Sequence, residues 1–128
     1  QNTNYQADGN NPLCGDRLTI FVKLGADNII EDVGFDGRGC AISIASASIM
    51  TDIVKGRSIE QIDILFSIFH KMCTGEDFGK APSEFEDDID KLMVMSGVKQ
   101  FPMRVKCATL SWHAMQAAVR GDEIASTE

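Results

Sequence analysis

Hydrophobic positions follow two different periods along the chain. Two runs rich in β-branched and aromatic residues, at 18–24 and 29–35, flank the turn-forming sequence GADN at 25–28, a pattern typical of a β-hairpin. Further on, apolar residues recur three or four positions apart, as on one face of a helix. This spacing predicts a first helix over about 41–55, because Gly56 then stands where a helix would stop.

A second helix is predicted from Ser58 to about Gly75. Ser58 is followed three residues later by Gln61, the spacing of a capping box at a helix start. The apolar stripe predicted to face the core consists of Ile59, Ile62, Phe66, Phe69 and Cys73.

The rest of the chain predicts shorter elements. The segment 74–88 mixes Gly, Pro and acidic residues and predicts a solvated loop, and a short helix is expected over 89–95 before Gly97. Pro102 and the apolar run at 108–119 predict a short extended segment that leads into a last helix.

The order of these elements predicts one domain of the α+β class. Strands precede helices, which favours a small antiparallel sheet, built from N-terminal hairpin strands, packed against helices. Residues 1–11 are rich in Asn, Gln and Gly and predict an extended or mobile lead-in, 12–121 form the domain, and 122–128 form a fraying tail. Since the first residue is not Met, we expect a fragment or a processed chain.

Composition and charge narrow the functional classes. A chain of 128 residues with 44% hydrophobic content can bury a core as one domain. A net charge of −7 disfavours nucleic-acid and membrane-surface partners. The sequence has neither an apolar run of about 20 residues nor a signal-peptide pattern, which predicts a cytoplasmic protein. In that reducing compartment four cysteines predict metal ligands, reactive thiols or core residues rather than disulfides.

Two of the four cysteines lie in turn-like surroundings. Cys14 stands in the sequence NPLCGD, where Asp16 is near enough in the chain for both side chains to reach one point; the alternative is a buried thiol beside a turn aspartate. Cys40 follows Gly37-Arg38-Gly39 and opens the first helix, where the helix dipole favours a thiolate. The alternative for Cys40 is a small residue in helix packing.

Cys107 is predicted to open the last helix, beside the cations Arg104 and Lys106. If that segment is extended, the two cations share the face opposite the thiol. The alternative for Cys107 is a thiol packed in the core. The alternative for the two cations is an ordinary solvent-exposed face.

The remaining candidates are assigned to packing. Cys73 lies on the apolar stripe of the second helix, which predicts a core residue. His70 and His113 have no partner at metal-ligand spacing, so neither is placed in the site.

Cys14, Asp16, Cys40 and Cys107 together make a four-ligand set of three sulfurs and one oxygen. Such a set suits tetrahedral zinc, or a cluster held at one incomplete corner, and spacing alone does not choose between them. A carboxylate exchanges more readily than a thiolate, which favours a working site over a permanently closed structural zinc. A structural zinc module is the alternative, and a thiol hydrolase is disfavoured because no histidine lies in a general-base motif.

With these residues in place, the sequence resembles the SufU/IscU family of iron–sulfur cluster assembly proteins, related to the N-terminal domain of NifU. Three motifs carry the resemblance, in the family's order: NPLCGD at 11–16, GRGCAIS at 37–43 and FPMRVKCATL at 101–110. Lys106 stands where the IscU type usually has His, and the segment between the second and third motifs is long, as in the SufU type. The resemblance covers about 11–120, and it favours the SufU type.

The resemblance implies a function as well as a fold. It implies zinc held by Cys14, Asp16, Cys40 and Cys107, with Cys14 as the acceptor of persulfide sulfur from a PLP-dependent cysteine desulfurase, which would make the protein a sulfurtransferase. The IscU-type alternative is a non-enzymatic scaffold that builds a [2Fe-2S] cluster on the same residues. Either type would pass its product to a downstream scaffold or to apo iron–sulfur proteins. The family also carries a helix ahead of its first motif, where this chain has its polar lead-in.

Overall fold

The computed structural model describes residues 3–11, 15–79, 82–120 and 124–126. Four strands form one sheet in the order β3-β2-β1-β4. They are β1 (Thr3–Asn11), β2 (Asp16–Leu24), β3 (Ile30–Arg38) and β4 (Ile124–Ser126). Strands β1, β2 and β3 pair antiparallel, and β4 runs parallel to β1. The predicted hairpin is therefore confirmed as β2 and β3, and a 3₁₀ helix, Ala26–Asn28, joins them.

Residues 3–11, predicted as an extended or mobile lead-in, are extended, and they pair with β2 along their whole length. Among residues 5–10 of this strand the buried positions are Ala7 and Gly9, and small side chains give almost no hydrophobic signal. Gly9 is needed there because a Cβ would lie 3.1 Å from both Ala114 and Leu110 of the last helix. The predicted tail is corrected, since 124–126 pair with β1.

The described part of the chain contains four α-helices. They are α1 (Ala41–Val54), α2 (Ile59–Thr74), α3 (Glu86–Leu92) and α4 (Pro102–Val119). Of these, α1 and α4 pack on the sheet. The predictions for α1 and α2 are confirmed. The capping box at Ser58 and Gln61 is present, and Gly75 ends α2 in the left-handed conformation, with φ of 80°.

The region between α2 and α4 differs from its prediction. Helix α3 begins three residues earlier than expected, after a 3₁₀ turn at Ser83–Phe85, and is followed by a longer 3₁₀ helix, Met93–Gln100. Helix α4 begins directly at Pro102, so the predicted extended segment is absent from this part of the described chain. Proline suits the first position of a helix because it has no backbone N–H, and an N–H at that position would have no partner within the helix.

The core is formed by the sheet together with helices α1, α2 and α4. Helices α1 and α4 pack on the sheet, and α2 packs on α4. Trp112 of α4 is fully buried, and its ring stacks on Phe66 at 5.9 Å and contacts Phe69 at 5.4 Å. Helix α4 also packs on β1, β2 and α1. Because α4 contacts both the sheet and α1, a residue near its start can meet residues from β2 and α1.

No helix in the described ranges has the length and hydropathy needed to cross a bilayer.

Candidate metal site

Asp16 is the first residue of β2, and its side chain is fully buried. Its Oδ1 accepts a hydrogen bond of 2.8 Å from the backbone N–H of Cys40, and its Oδ2 accepts one of 2.7 Å from the Ser43 hydroxyl. Both donors belong to the first turn of α1, where unpaired N–H groups attract negative charge. Asp16 therefore caps α1 from the neighbouring strand, which explains how a buried carboxylate is tolerated.

Cys40 occupies the N-cap position of α1, as the sequence predicts. Burial raises the pKa of its thiol, and the nearby Asp16 carboxylate raises it further. Hydrogen bonds with the backbone and side chain of Ser43 and with the side chain of Cys107 outweigh both effects, so the pKa of Cys40 lies below its ordinary value. Hydrogen bonds rather than a nearby cation are responsible for this lowering.

Cys107 is fully buried in α4. Its predicted position at a helix start is wrong, because α4 begins five residues earlier at Pro102 and the helix-end field decays within one turn. Helical geometry instead places Arg104, three residues back, on the same face, with Nη1 4.0 Å from Cys107 Sγ. The placement of Arg104 on the face opposite the thiol applied only to an extended segment, and this segment is helical.

Asp16, Cys40 and Cys107 converge although they lie far apart in the sequence. One ligand atom from each lies within 4.8 Å of those of the other two. Two sulfurs and one carboxylate oxygen at this separation fit zinc, which accepts both donor types in tetrahedral geometry. Three of the four predicted ligands are thus brought together. Cys14, the fourth, lies outside the described residues.

Glycines at the end of β3 make this convergence possible. Gly37 has φ of 139°, and a Cβ there would lie 2.1 Å from the Arg17 carbonyl oxygen, so a larger residue cannot follow the same path. At Gly39 a Cβ would lie 2.7 Å from Asp16 Oδ1. The second motif therefore supplies Cys40 and also clears the space that the Asp16 carboxylate occupies.

Comparison with known proteins identifies the family of this chain. The family described as NifU-like N terminal domain matches residues 1–108. The chain belongs to this family. The resemblance to the SufU/IscU and NifU group that the cysteine motifs indicate is therefore confirmed.

Two curated relatives cover most of this NifU-like domain. The zinc-dependent sulfurtransferase SufU of Bacillus subtilis is 44% identical over 124 residues, which are 95% of this chain and 79% of the relative. The iron–sulfur cluster assembly scaffold protein IscU of Streptococcus pyogenes is 40% identical over 111 residues, 87% of this chain and 66% of the relative.

Solved structures confirm the α+β fold of the NifU-like domain. A putative iron–sulfur cluster assembly scaffold protein for the SUF system, from Fervidobacterium islandicum, superposes with a TM-score of 0.80 at 30% identity. The superposition covers 90% of this chain and 79% of that one.

The other candidates of the NifU-like domain lie away from the site. Cys73 is buried in the core, and burial raises the pKa of its thiol to about 12. The rings of His70 and His113 pack edge-on against Phe66. Burial, and to a smaller degree the charge of His70, lowers the pKa of His113. Within the described ranges neither histidine joins the candidate metal group.

Sequence reasoning missed Ser43, whose hydroxyl reaches every described member of the group. It lies three residues after the N-cap Cys40, a position whose side chain often bonds to the helix start. The three-residue spacing from Cys40 was the signal in the sequence that could have identified Ser43 as part of the site. What it could not indicate is that the acceptor would come from β2, 27 residues away.

Proposed function

We propose that this chain is an iron–sulfur cluster assembly protein of the SufU type, a zinc-dependent acceptor of persulfide sulfur from a PLP-dependent cysteine desulfurase. The observation that carries the proposal is the convergence of Asp16, Cys40 and Cys107 within 4.8 Å. The similarity to the Bacillus subtilis zinc-dependent sulfurtransferase SufU over 95% of the chain supports the same function.

The proposed ligand set is Cys14, Asp16, Cys40 and Cys107. Cys14 is included because it precedes Asp16 by two residues, and Asp16 is already in the group. When bound, zinc would keep these thiols deprotonated and hold them in a fixed tetrahedral arrangement. Asp16 supplies the hard oxygen donor of the set and exchanges more readily than the thiolates.

Cys14 is the proposed sulfur acceptor. Its thiolate attacks the outer sulfur of the desulfurase cysteine persulfide, and a new S–S bond forms on Cys14. The donor S–S bond breaks and the desulfurase cysteine leaves as a thiolate, so no external oxidant is consumed. The sulfur then passes to a downstream scaffold or to apo iron–sulfur proteins.

An exposed apolar surface beside the site gives the desulfurase a place to dock. Phe101 and Met103 are each 62% exposed, and with Ile42 and Arg104 they line a cavity of about 590 Å³. Ile42 lies two residues after Cys40, and Arg104 lies three residues before Cys107. A partner bound to Phe101 and Met103 would therefore lie next to the ligand group.

The test of sulfur acceptance compares desulfurase turnover with wild-type protein and with Cys14→Ala. The variant should abolish the stimulation of turnover, because the accepting thiol is gone. Cys73→Ala is the matched control and should stimulate as the wild type does, since Cys73 is buried in the core. Stimulation that survives Cys14→Ala would rule out Cys14 as the acceptor.

A second candidate function is an IscU-type scaffold that assembles a [2Fe-2S] cluster on the same side chains. It is favoured by the 40% identity to the Streptococcus pyogenes scaffold protein IscU. The metal content of protein purified without added metal separates the two, with a matched Asp16→Ala preparation. Zinc near one per chain supports sulfur transfer, whereas iron with sulfide supports the scaffold.

The same Asp16→Ala protein also tests a purely structural zinc. If Asp16 is a working ligand, the variant should lose sulfur acceptance as well as metal. Intact sulfur acceptance with lowered stability alone would indicate a structural site.

A further inference from the structure

The Ser43 hydroxyl is the point where the three described ligand residues meet. Ser43 is fully buried in the first turn of α1. Its Oγ lies 2.7 Å from Asp16 Oδ2, 3.2 Å from the carbonyl oxygen of Cys107 and 3.7 Å from Cys40 Sγ. One small side chain therefore contacts residues of β2, α1 and α4.

The hydroxyl has one proton to donate and two acceptors within reach. Asp16 Oδ2 is the nearer acceptor and carries charge, and a charge-assisted hydrogen bond is stronger than one to a carbonyl. The proton is therefore directed at Asp16. The oxygen lone pairs remain available to accept a hydrogen bond from the Cys40 thiol.

The two oxygens of Asp16 are held by different kinds of donor. The N–H that binds Oδ1 belongs to the backbone of Cys40, so no side-chain substitution removes it. The donor to Oδ2 is the Ser43 side chain. Because rotation of a carboxylate about its Cβ–Cγ bond is soft, the Ser43 bond controls the direction of Oδ2, which lies 4.0 Å from Cys40 Sγ.

We propose that Ser43 is a positioning residue that aims the Asp16 carboxylate at the metal. The inference rests on the metal site proposed above and adds the group that orients its oxygen donor. Ser43 itself is not a ligand. Its loss should weaken metal binding through Asp16 and leave the cysteine ligands in place.

The test measures zinc affinity of Ser43→Ala by competition with a chromophoric chelator. We expect a loss of about 10- to 100-fold, the range typical for partners that orient a ligand. The cobalt-substituted protein should keep its thiolate-to-cobalt absorption, because the cysteines still bind. Its ligand-field bands should change, because the oxygen donor is displaced.

Ser46→Ala is the matched control. Ser46 lies on the same buried face of α1, and its hydroxyl also donates to a carbonyl of α4, that of Ala108. This hydrogen bond does not involve Asp16. Removal of the Ser46 hydroxyl should leave zinc affinity and the cobalt spectrum unchanged, and an effect equal to that of Ser43→Ala would overturn the proposal.

A double-mutant cycle with Asp16→Ala separates positioning from a general structural role. If Ser43 acts through Asp16, Ser43→Ala has no further effect on zinc affinity once Asp16 is gone. An equal loss in both backgrounds would overturn the proposal. None of these measurements uses a desulfurase, so failure of sulfur transfer and failure of this proposal are distinguishable.

Ser43→Thr keeps the hydroxyl, so it tests the role of the hydroxyl in zinc binding if Ser43→Ala does not fold. Zinc affinity close to wild type supports the role of the hydroxyl. A loss of tenfold or more with the hydroxyl retained would overturn it.

Discussion

Cys40 and Cys73 show how strongly surroundings separate two identical side chains. Cys40 lies at a helix start, where hydrogen bonds with Ser43 and Cys107 offset burial and lower its pKa. Cys73 lies among apolar side chains, and burial raises its pKa to about 12. The first environment suits a metal ligand, and the second keeps the thiol protonated and unreactive.

The raised pKa of Cys73 predicts a loss of stability at alkaline pH. Below the ordinary value of 9.0 both the folded and unfolded chains hold the proton, so the contribution is fully present. As the pH rises from there towards 12, the unfolded chain releases the proton while the folded chain keeps it. The free energy of unfolding should then fall by about 1.4 kcal/mol per pH unit.

Urea unfolding of wild type and Cys73→Ala at two pH values checks this prediction. The variant is less stable at neutral pH because it leaves a cavity, but it lacks the titrating thiol. The stability difference should shrink by about 1 kcal/mol between about pH 8 and about pH 10. A difference that stays constant would contradict the pKa of Cys73.

At the scale of elements, local signals predicted helices better than they predicted strands. Ser58, Gln61 and Gly75 mark the ends of α2 through interactions within a few residues, so their pattern is visible in the sequence. Strand β1 is held by pairing with β2 and by close packing of α4 on Gly9. Neither contact leaves a local pattern, and β1 was therefore missed.

The junction between β3 and α1 predicts a specific effect for Gly39→Ala. The added methyl would lie 2.7 Å from Asp16 Oδ1 and 3.2 Å from Asp16 Cγ, so the carboxylate must move. Zinc affinity, measured by chelator competition, should fall by about tenfold or more. The cost in folding stability should stay within about 1–3 kcal/mol, as for other overpacked sites.

Gly34→Ala is the control for this substitution. Gly34 lies in β3, and a Cβ there would have no heavy atom within 4 Å. Zinc affinity should remain that of the wild type. Equal losses for Gly34→Ala and Gly39→Ala would show that the effect comes from the strand and not from the carboxylate.

At the scale of the whole molecule, the site joins elements that are distant in sequence. Asp16 begins β2, Cys40 caps α1 and Cys107 lies in α4. A metal bound there would cross-link the sheet to two helices. Because the unfolded chain has no preformed site, the binding free energy adds to the stability of the fold.

Removal of the metal should therefore lower the stability of the whole domain. At free zinc about 100 times the dissociation constant, the stabilisation is about 2.7 kcal/mol. Fluorescence of Trp112, the chain's single tryptophan, reports unfolding of the core in which it is buried. The midpoint of urea unfolding should fall after chelation.

Asp16→Ala provides the comparison for metal removal. Chelation should shift its unfolding midpoint less than that of the wild type, because its metal is held more weakly. Identical midpoints for the zinc-loaded and metal-free wild type would contradict binding to the folded state.

The sequence alone determined the residue types of the site and the α+β class. Three cysteine motifs and the helix-cap signals are local patterns, so they are visible without a structure. The same patterns identified Cys73 as a core residue, because helical spacing predicts which face a side chain occupies. His70 and His113 were left out of the predicted site because neither has a partner at metal-ligand spacing.

Only the tertiary structure decided how the site is held together. Asp16 is oriented by Ser43, 27 residues away. Ser43 is a buried polar residue of α1, whereas a helical pattern predicts hydrophobic residues on the buried face. The start of α4 at Pro102 placed Arg104, rather than a helix terminus, beside Cys107. These arrangements depend on α1 and α4 packing against the sheet. Contacts between segments that are distant in the sequence leave no periodic pattern, so the sequence alone could not predict these arrangements.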